Sequence, residues 1–153
     1  YGFFAACYSR DLEAGRPTYE AGKDSPPLPR NLPPVAGSVA WSRQLLRKVE
    51  EPMALFQSHP AIMAMSNFAG IIKTYNRISK VLVEFEIVWV QHWRDSVPQL
   101  RPCLHAPLLI RHPATGRLHV NLDRRVLQVV REAKALGRLG IRVPEGAAFM
   151  AAR

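Results

Sequence analysis

The feature that most constrains the fold is an unbroken seven-residue repeat of apolar residues in the middle of the chain. Its members are Phe68, Ile71, Tyr75, Ile78, Leu82, Phe85 and Trp89. This spacing keeps one stripe of a helix apolar over three repeats, so we predict a long helix that packs against other helices. The segment Val81–Val90 has a rival interpretation as a strand, because it is rich in β-branched residues and alternates carboxylates with apolar side chains. The continuity of the repeat from Phe68 favours the helix.

A second amphipathic helix is predicted upstream of this one. Its apolar face is formed by Val39, Ser42, Leu45, Leu46, Val49, Met53 and Phe56. We expect the helix to begin after Gly37, with Ser38 as its N-cap, and to end before Pro60. Pro52 should kink it, because proline lacks an amide proton and clashes with the preceding turn.

The N-terminal quarter has a proline-rich segment and no sustained periodicity. Residues 25–34 contain five prolines, which excludes a helix there and favours an extended conformation. Such a segment is either a docking site for a proline-binding domain or a stiff strap laid over a neighbouring surface. We therefore predict an extended Pro-rich segment over residues 1–36 and a helical module over residues 37–153.

Two short apolar segments in the second half predict a β-hairpin over about residues 107–122. At the loop between them, Pro113 presets the first turn residue and Gly116 supplies a positive φ. Asp123 then caps a helix, and Gly140 suits the position just beyond its end. The predicted buried face of this helix comprises Val126, Val130, Ala133 and Leu136. The predicted fold class is mainly α, a helical bundle segment with one β-hairpin and an extended strap.

Positive charge is concentrated in the second half of the chain. The formal net charge is +9, and residues 94–153 hold eleven Arg and Lys against four carboxylates. This imbalance predicts an acidic partner, whether nucleic acid, a membrane surface or an acidic protein face; the alternative is the solvated surface of an Arg-rich chain. Arg124 and Arg125 fall in the first turn after Asp123, where the helix dipole disfavours cations. We predict an acidic neighbouring subunit there, with two solvated arginines as the alternative.

The second half of the long helix is apolar on nearly every side. The residues outside the repeat that cause this are Val81, Val83, Ile87, Val88 and Val90. Large uncovered apolar patches mark partner surfaces. We predict that the part around Phe85, Trp89 and Trp93 packs against a segment outside these 153 residues. The alternative is a core closed within the chain.

The sequence holds no set of residues with catalytic or metal-binding spacing. It has neither a GxxxxGK[ST] or GxGxxG phosphate loop nor a GxSxG or HExxH motif. Cys103 and the histidines His105, His112 and His119 do not complete a tetrahedral zinc set, because His112 and His119 are expected on opposite sides of the hairpin loop. We therefore predict no enzyme activity and no catalytic, cofactor-binding or metal-binding residue.

The sequence shows no segment suited to export or membrane insertion. Its longest apolar stretch falls well short of the roughly 20 residues that a membrane helix needs. Cys7 and Cys103 do not indicate a disulfide framework, which favours a reducing cytoplasmic environment. The chain begins with Tyr1 and not with Met, so we expect an internal or processed segment of a longer protein.

One stretch, Lys23–Leu45, combines a proline-containing motif with a tryptophan motif. In it the sequence Pro33-Pro34-Val-Ala-Gly37 is followed by Trp41-x-Arg43, and this stretch resembles the N-terminal tail of dynein heavy chains. The pattern covers the strap and the start of the helix predicted after it.

A second stretch is similar to a hairpin and helix further along the same tail. Leu108–Asp123, with Pro113 and Gly116 in its loop, precedes Val129–Lys134 in the family's order and spacing. The hairpin sequence Arg-His-Pro-x-Thr-Gly is more like axonemal than cytoplasmic dyneins. The chain departs from the pattern at Leu122, where Phe is usual, and at Arg124, where Pro is common. The resemblance spans about residues 19–146.

The resemblance implies a mostly helical tail module of an axonemal motor. In that family the tail performs no chemistry: it joins heavy chains, carries intermediate and light chains, and docks the motor on the doublet microtubule of a cilium or flagellum. ATP hydrolysis belongs to a ring of ATPase modules elsewhere in the heavy chain. Expected partners are therefore proteins, without nucleic acid, membrane or cofactor. The alternative is a stand-alone basic nucleic-acid-binding module, although residues 107–122 contain no aromatic side chain for base stacking.

Overall fold

The computed structural model describes residues 2–104 and 106–152, which form a mainly α-helical structure with one small antiparallel hairpin. In chain order the elements are α1 (Gly2–Gly22), α2 (Pro34–Gln57), α3 (Pro60–Met63), α4 (Phe68–Ser96), a 3-10 helix (Val97–Leu100), α5 (Arg101–Leu104), β1 (Leu109–Arg111), β2 (Leu118–Val120), α6 (Arg124–Arg138) and α7 (Glu145–Ala152). The predicted fold class is confirmed. No helix in the described part of the chain is long and apolar enough to cross a membrane.

Helix α1 corrects the prediction of an extended segment over residues 1–36. Its inward positions are Tyr8, Leu12, Gly15, Tyr19 and Gly22, which step by four and three residues alternately. Two of these positions are glycines, so the hydrophobic signal that normally reveals such a repeat is weak. Pro17 lies inside the helix and removes one backbone hydrogen bond without ending it. Only residues 23–33 are non-helical between α1 and α2. They include all but the last residue of the Pro-rich segment 25–34, which we call the strap.

Helix α2 begins at Pro34 and not after Gly37, which corrects the prediction of Ser38 as its N-cap. Proline is favoured in the first turn of a helix, where its missing N–H removes no helical hydrogen bond. Ser38 is fully buried one turn inside the helix. Pro52 lies within α2, which continues to Gln57.

Helix α4 confirms the long helix and excludes the strand interpretation of Val81–Val90. All seven members of the apolar repeat are buried or half-buried. A core built from α1, α2 and α3 packs against the N-terminal half of this stripe. The buried residues of that core are Tyr8, Leu12, Met53, Phe56, Ile62, Phe68 and Ile71. The hydroxyl of Tyr8 donates a hydrogen bond to the Val49 carbonyl at 2.6 Å, so the packing of α1 on α2 is also oriented by a polar contact.

The chain divides into two compact units. The first comprises Tyr1–Pro29 and Gly37–Trp89, and the second comprises Arg30–Ala36 and Val90–Arg153. These units are clusters of contacts and do not test the division into domains after residue 36, which stays a prediction. Their charges differ: the first holds nine Arg and Lys against eight carboxylates, whereas the second holds twelve against four.

The second unit contains the hairpin and the helix predicted after it. Strands β1 and β2 pair with Ile110 opposite His119, and Gly116 has φ +64° in the loop. Asp123 caps α6 by accepting a hydrogen bond from the backbone N–H of Arg125 at 2.8 Å. Gly140 has φ +76° beyond the end of α6. The predicted hairpin, N-cap and glycine positions are therefore confirmed. Each depends only on local geometry, which the sequence reveals directly.

The buried face of α6 differs in part from the prediction. Val126, Ala133 and Leu136 are buried as expected, and α7 packs against this helix. Val130 is only half-buried, and its neighbour Val129 is buried instead. The face also includes a carboxylate, Glu132, which hydrophobic periodicity cannot identify.

Candidate partner surfaces

An aromatic cluster fixes one side of α4 within the first unit. The ring of Trp41 stacks on Tyr19 with centroids 6.2 Å apart and meets Phe85 edge-on at 5.6 Å. Trp89 lies 5.9 Å from Phe85. A Cβ at Gly22 would come within 2.6 Å of the Trp41 ring, so glycine permits this close approach. Trp41, the tryptophan of the Trp-x-Arg motif, therefore anchors α1, α2 and α4 to one another.

Two of the three aromatic residues predicted to contact a partner are buried by this chain itself. Phe85 is buried in the aromatic cluster, and Trp93 is buried in the second unit, where its indole N–H has no hydrogen-bond acceptor among the described residues. Trp89 is half-buried. An external contact at this part of α4 stays a prediction, and these burials leave other side chains to make it.

The exposed apolar side chains of α4 lie outside its repeat, on two separate faces. Val83 and Ile87 are four residues apart and Val81 and Val88 seven apart, so each pair shares a face of the helix. Ile87 is 59% and Val88 65% exposed. Val83 and Ile87, one turn apart, form an apolar surface of the first unit available to a partner, and Val81 and Val88 lie on a different face.

Polar contacts join α2 to α4 beside the aromatic cluster. The Arg43 guanidinium donates two hydrogen bonds to Glu86, at 2.9 Å from Nε and 2.7 Å from Nη2. This contact raises the pKa of Arg43. One residue earlier on α2, the Ser42 hydroxyl donates to the buried carbonyl of Leu82 at 2.8 Å. Together these bonds fix the position of α2 along the axis of α4.

A buried carboxylate on α6 caps the N-terminus of α2. Glu132 is 2% exposed, and its two oxygens accept hydrogen bonds from the backbone N–H groups of Val35 at 2.8 Å and Ala36 at 2.9 Å. Burial raises the pKa of Glu132, while the two N–H groups act in the opposite direction. A residue 96 positions away thus performs the role that sequence analysis assigned to Ser38.

The two arginines predicted to face an acidic partner have different surroundings. Arg125 is paired with Asp123, with Nη2 and Oδ2 2.7 Å apart, and this contact holds the pKa of Asp123 well below its usual range. The same carboxylate accepts a hydrogen bond from the Cys103 thiol, which raises the pKa of that thiol. Arg125 therefore has its acidic partner within the chain. Arg124 is exposed and lines a groove with Pro33 and Pro34.

The hairpin histidines are closer together than expected. The rings of His112 and His119 are 5.3 Å apart, although the two residues lie on opposite sides of the loop. Nδ1 of His112 accepts weak hydrogen bonds from the N–H groups of Ala114 and Thr115. Residues 2–104 and 106–152 contain no group of three His, Cys, Asp or Glu side chains placed to hold a metal ion. His105 lies outside the described residues.

Comparison with known proteins decides the family. Residues 5–153 match the family model described as dynein heavy chain, N-terminal region 1. The chain belongs to this family. The gamma chain of the flagellar outer arm dynein of Chlamydomonas reinhardtii is 48% identical over 135 residues, which is 88% of this chain and 3% of that protein. Dynein axonemal heavy chain 8 of Mus musculus is 44% identical over 141 residues, 92% of this chain and 3% of that protein.

The dynein relatives also bear on subtype and location. Dynein axonemal heavy chain 5 of Mus musculus is 39% identical over 143 residues, 94% of this chain and 3% of that protein. The chain thus spans about 3% of the length of these curated relatives. It is an N-terminal region of an axonemal dynein heavy chain, distinct from the motor domain, and its location is the axoneme of a cilium or flagellum. The predicted resemblance is confirmed.

Sequence analysis missed the residues that act at a distance. Glu132 carries no local signal, because a carboxylate in mid-helix ordinarily indicates a solvated residue. Gly22 and Gly37 are explained only by their neighbours: Trp41 lies against Gly22, and a Cβ at Gly37 would meet the Leu28 side chain of the strap at 2.8 Å. For α1, the alternating four- and three-residue spacing of its inward positions was the signal from which sequence analysis could have predicted the helix.

Proposed function

We propose that this dynein heavy-chain segment is a non-catalytic scaffold within the tail, which helps assemble the motor. The observation that carries the proposal is the match of residues 5–153 to the N-terminal region of dynein heavy chains. Its partners are other segments of the same heavy chain, other heavy chains, intermediate and light chains, and docking proteins on the doublet microtubule. ATP hydrolysis takes place elsewhere in the heavy chain.

The exposed apolar face of α4 supports this role. Val83 and Ile87 present apolar area on one face of a rigid helix that the aromatic cluster and the Arg43–Glu86 pair hold in place. A helix face of this kind suits packing against a helix of another tail segment or subunit. We therefore assign the assembly contact to this face in place of the buried Phe85 and Trp93.

An Ile87→Asp substitution in the full heavy chain tests the proposal. A buried unpaired charge is costly in an apolar interface, so we expect the variant heavy chain to recover less than about one tenth of the other dynein subunits in co-purification. Leu55→Asp is the matched control, because Leu55 on α2 is 60% exposed and Ile87 59%. Equal recovery of subunits by both variants would show that this face makes no assembly contact.

A further inference from the structure

A groove in the second unit is lined by cations on two sides. It has a volume of about 790 Å³ and lies between α6 and the residues just before α2. Its charged members are Arg30, Arg124, Arg131, Lys134 and Arg138. Among the residues that the structure describes, no carboxylate lines the groove, and none forms an ion pair or a side-chain hydrogen bond with any of these five cations. The groove therefore concentrates positive charge that the described part of the chain does not neutralise.

The cations on α6 are regularly spaced. Arg124, Arg131 and Arg138 are seven residues apart, which places them on nearly the same face at intervals of about 10 Å along the helix. A chain in the polyproline II conformation has three residues per turn and rises about 3.1 Å per residue, so every third side chain lies on the same side at intervals of about 9 Å. Carboxylates at every third position of a polyproline II segment would thus all face α6 and meet successive arginines.

The other lining residues favour a peptide over a nucleic acid. Leu127 is 43% exposed in the groove and offers an apolar contact between the cations. Pro33 and Pro34 form the opposite wall as a stiff edge. Within residues 2–104 and 106–152, no aromatic side chain lines the groove, so these residues lack the stacking platform on which single-stranded nucleic acids are held.

From these observations we propose that the groove is a docking site for an acidic, Asp/Glu-rich segment of another protein. This inference rests on the proposed assembly role and gives the chemistry of one partner. It concerns α6 and the strap, whereas the test above concerns α4, so either can fail without the other. Arg125, which Asp123 neutralises, is not part of the site.

The test uses a fluorescent 16-residue peptide with Glu at every third position and the 153-residue chain. Binding is followed by fluorescence anisotropy at about 50 and about 200 mM salt, because an electrostatic contact weakens as salt screens it. We expect saturable binding that weakens with salt, and no binding of the peptide in which Gln replaces Glu. Failure of the Glu peptide to bind at the lower salt concentration overturns the proposal.

Charge reversals locate the site. Arg131→Glu with Arg138→Glu should weaken binding at least about tenfold, since two attractive contacts become repulsive. Arg117→Glu with Arg142→Glu makes the same change in net charge outside the groove and should weaken binding by no more than roughly twofold. The milder pair Arg131→Gln with Arg138→Gln should give an intermediate loss with unchanged helix content by circular dichroism. Equal losses for the groove and control pairs contradict the proposal, as does tighter groove-dependent binding of an oligouridine of equal charge.

Discussion

At the scale of single residues, Gly22 and Trp41 set how closely α1 approaches α2. The indole ring occupies the space that a Cβ at position 22 would take, at 2.6 Å. The same ring touches Tyr19 and Phe85, so it has little freedom to move aside. A single methyl group at Gly22 therefore disturbs three helices.

Replacing Gly22 with Ala should lower the free energy of unfolding by about 1–3 kcal/mol, the usual cost of overpacking. Gly15→Ala in the same helix is the control, because a Cβ at Gly15 would meet no described side chain within 4 Å; it should raise stability by about 0.5–1 kcal/mol through helix propensity. Urea denaturation followed by tryptophan fluorescence and circular dichroism measures both. A stability gain in both variants would mean that Trp41 yields easily.

The roles of residues that act on their sequence neighbours were predictable from the sequence. The roles of residues that act on parts of the chain far away in sequence were not. Asp123, Gly116 and Gly140 each act within a few positions of their own place in the chain, so their residue type reveals their role. Gly22 and Glu132 act on residues 19 and 96 positions away. Their roles depend on packing that no pattern in one sequence specifies.

At the scale of elements, α2 and α4 are held in register by a contact that is more specific than their apolar packing. The two hydrogen bonds from Arg43 to Glu86 share a planar geometry that Lys cannot reproduce. Side chains of this pair are about one third and one quarter exposed, so solvent screens it only in part. The pair therefore adds orientation as well as stability.

A double-mutant cycle should measure this contact. With Arg43→Ala and Glu86→Ala, we expect a coupling free energy of about 1 kcal/mol, at the upper end for a partly exposed pair because the contact is bidentate. The reference is Lys80–Glu84, an exposed pair on α4 with its atoms 3.7 Å apart, for which about 0.3 kcal/mol is expected. Equal coupling in the two cycles would show that the interhelical geometry contributes nothing.

The long helix was predictable because its signal is uniform, and α1 was missed because its signal is interrupted. In α4 every position of the repeat carries a large apolar side chain, and the sum over three repeats outweighs the strand propensity of Val81–Val90. In α1 the same repeat contains two glycines, and Pro17 indicates a break. Tertiary contacts with α2 supply the stabilisation that the local sequence lacks.

At the scale of the whole molecule, the fold class followed from composition and periodicity, whereas the division into units did not. Residues Arg30–Ala36, the end of the strap and the first residues of α2, belong to the unit that contains α6, and Glu132 accepts the hydrogen bonds of Val35 and Ala36 there. A contact across that sequence distance has no signature in periodicity. The candidate surfaces were predicted by charge and apolar excess, but the side chains that form them were identified only by burial.

The Glu132 contact should make stability depend on pH in a defined direction. The pKa of this carboxyl is raised above its usual 4.5, so the folded chain binds more protons between the unfolded and folded pKa values. The contribution of Glu132 is therefore complete below the unfolded pKa and declines as pH rises through the folded pKa. The difference in unfolding free energy between the wild type and Glu132→Gln should shrink as pH rises.

Denaturant unfolding between about pH 4 and pH 8 measures that difference, with Glu13→Gln on the exposed side of α1 as the control. Glu132→Ala, which leaves the buried N–H of Ala36 without its acceptor, should cost about 1–3 kcal/mol. A wild-type advantage that grows with pH would show that the two backbone bonds outweigh burial in setting this pKa.

The cap on α2 also orders events during protein synthesis. A ribosome makes Pro34 and its neighbours almost one hundred residues before Glu132, and domains fold as their residues emerge. Until α6 leaves the ribosome, the first turn of α2 has only water as its hydrogen-bond acceptor. The helices that form the core around Tyr8 and Phe56 can associate in that interval, since their contacts close sooner. The start of α2 is therefore completed only after α6 has emerged, and a translational pause just before the codon for Glu132 would prolong the time for which that end stays open.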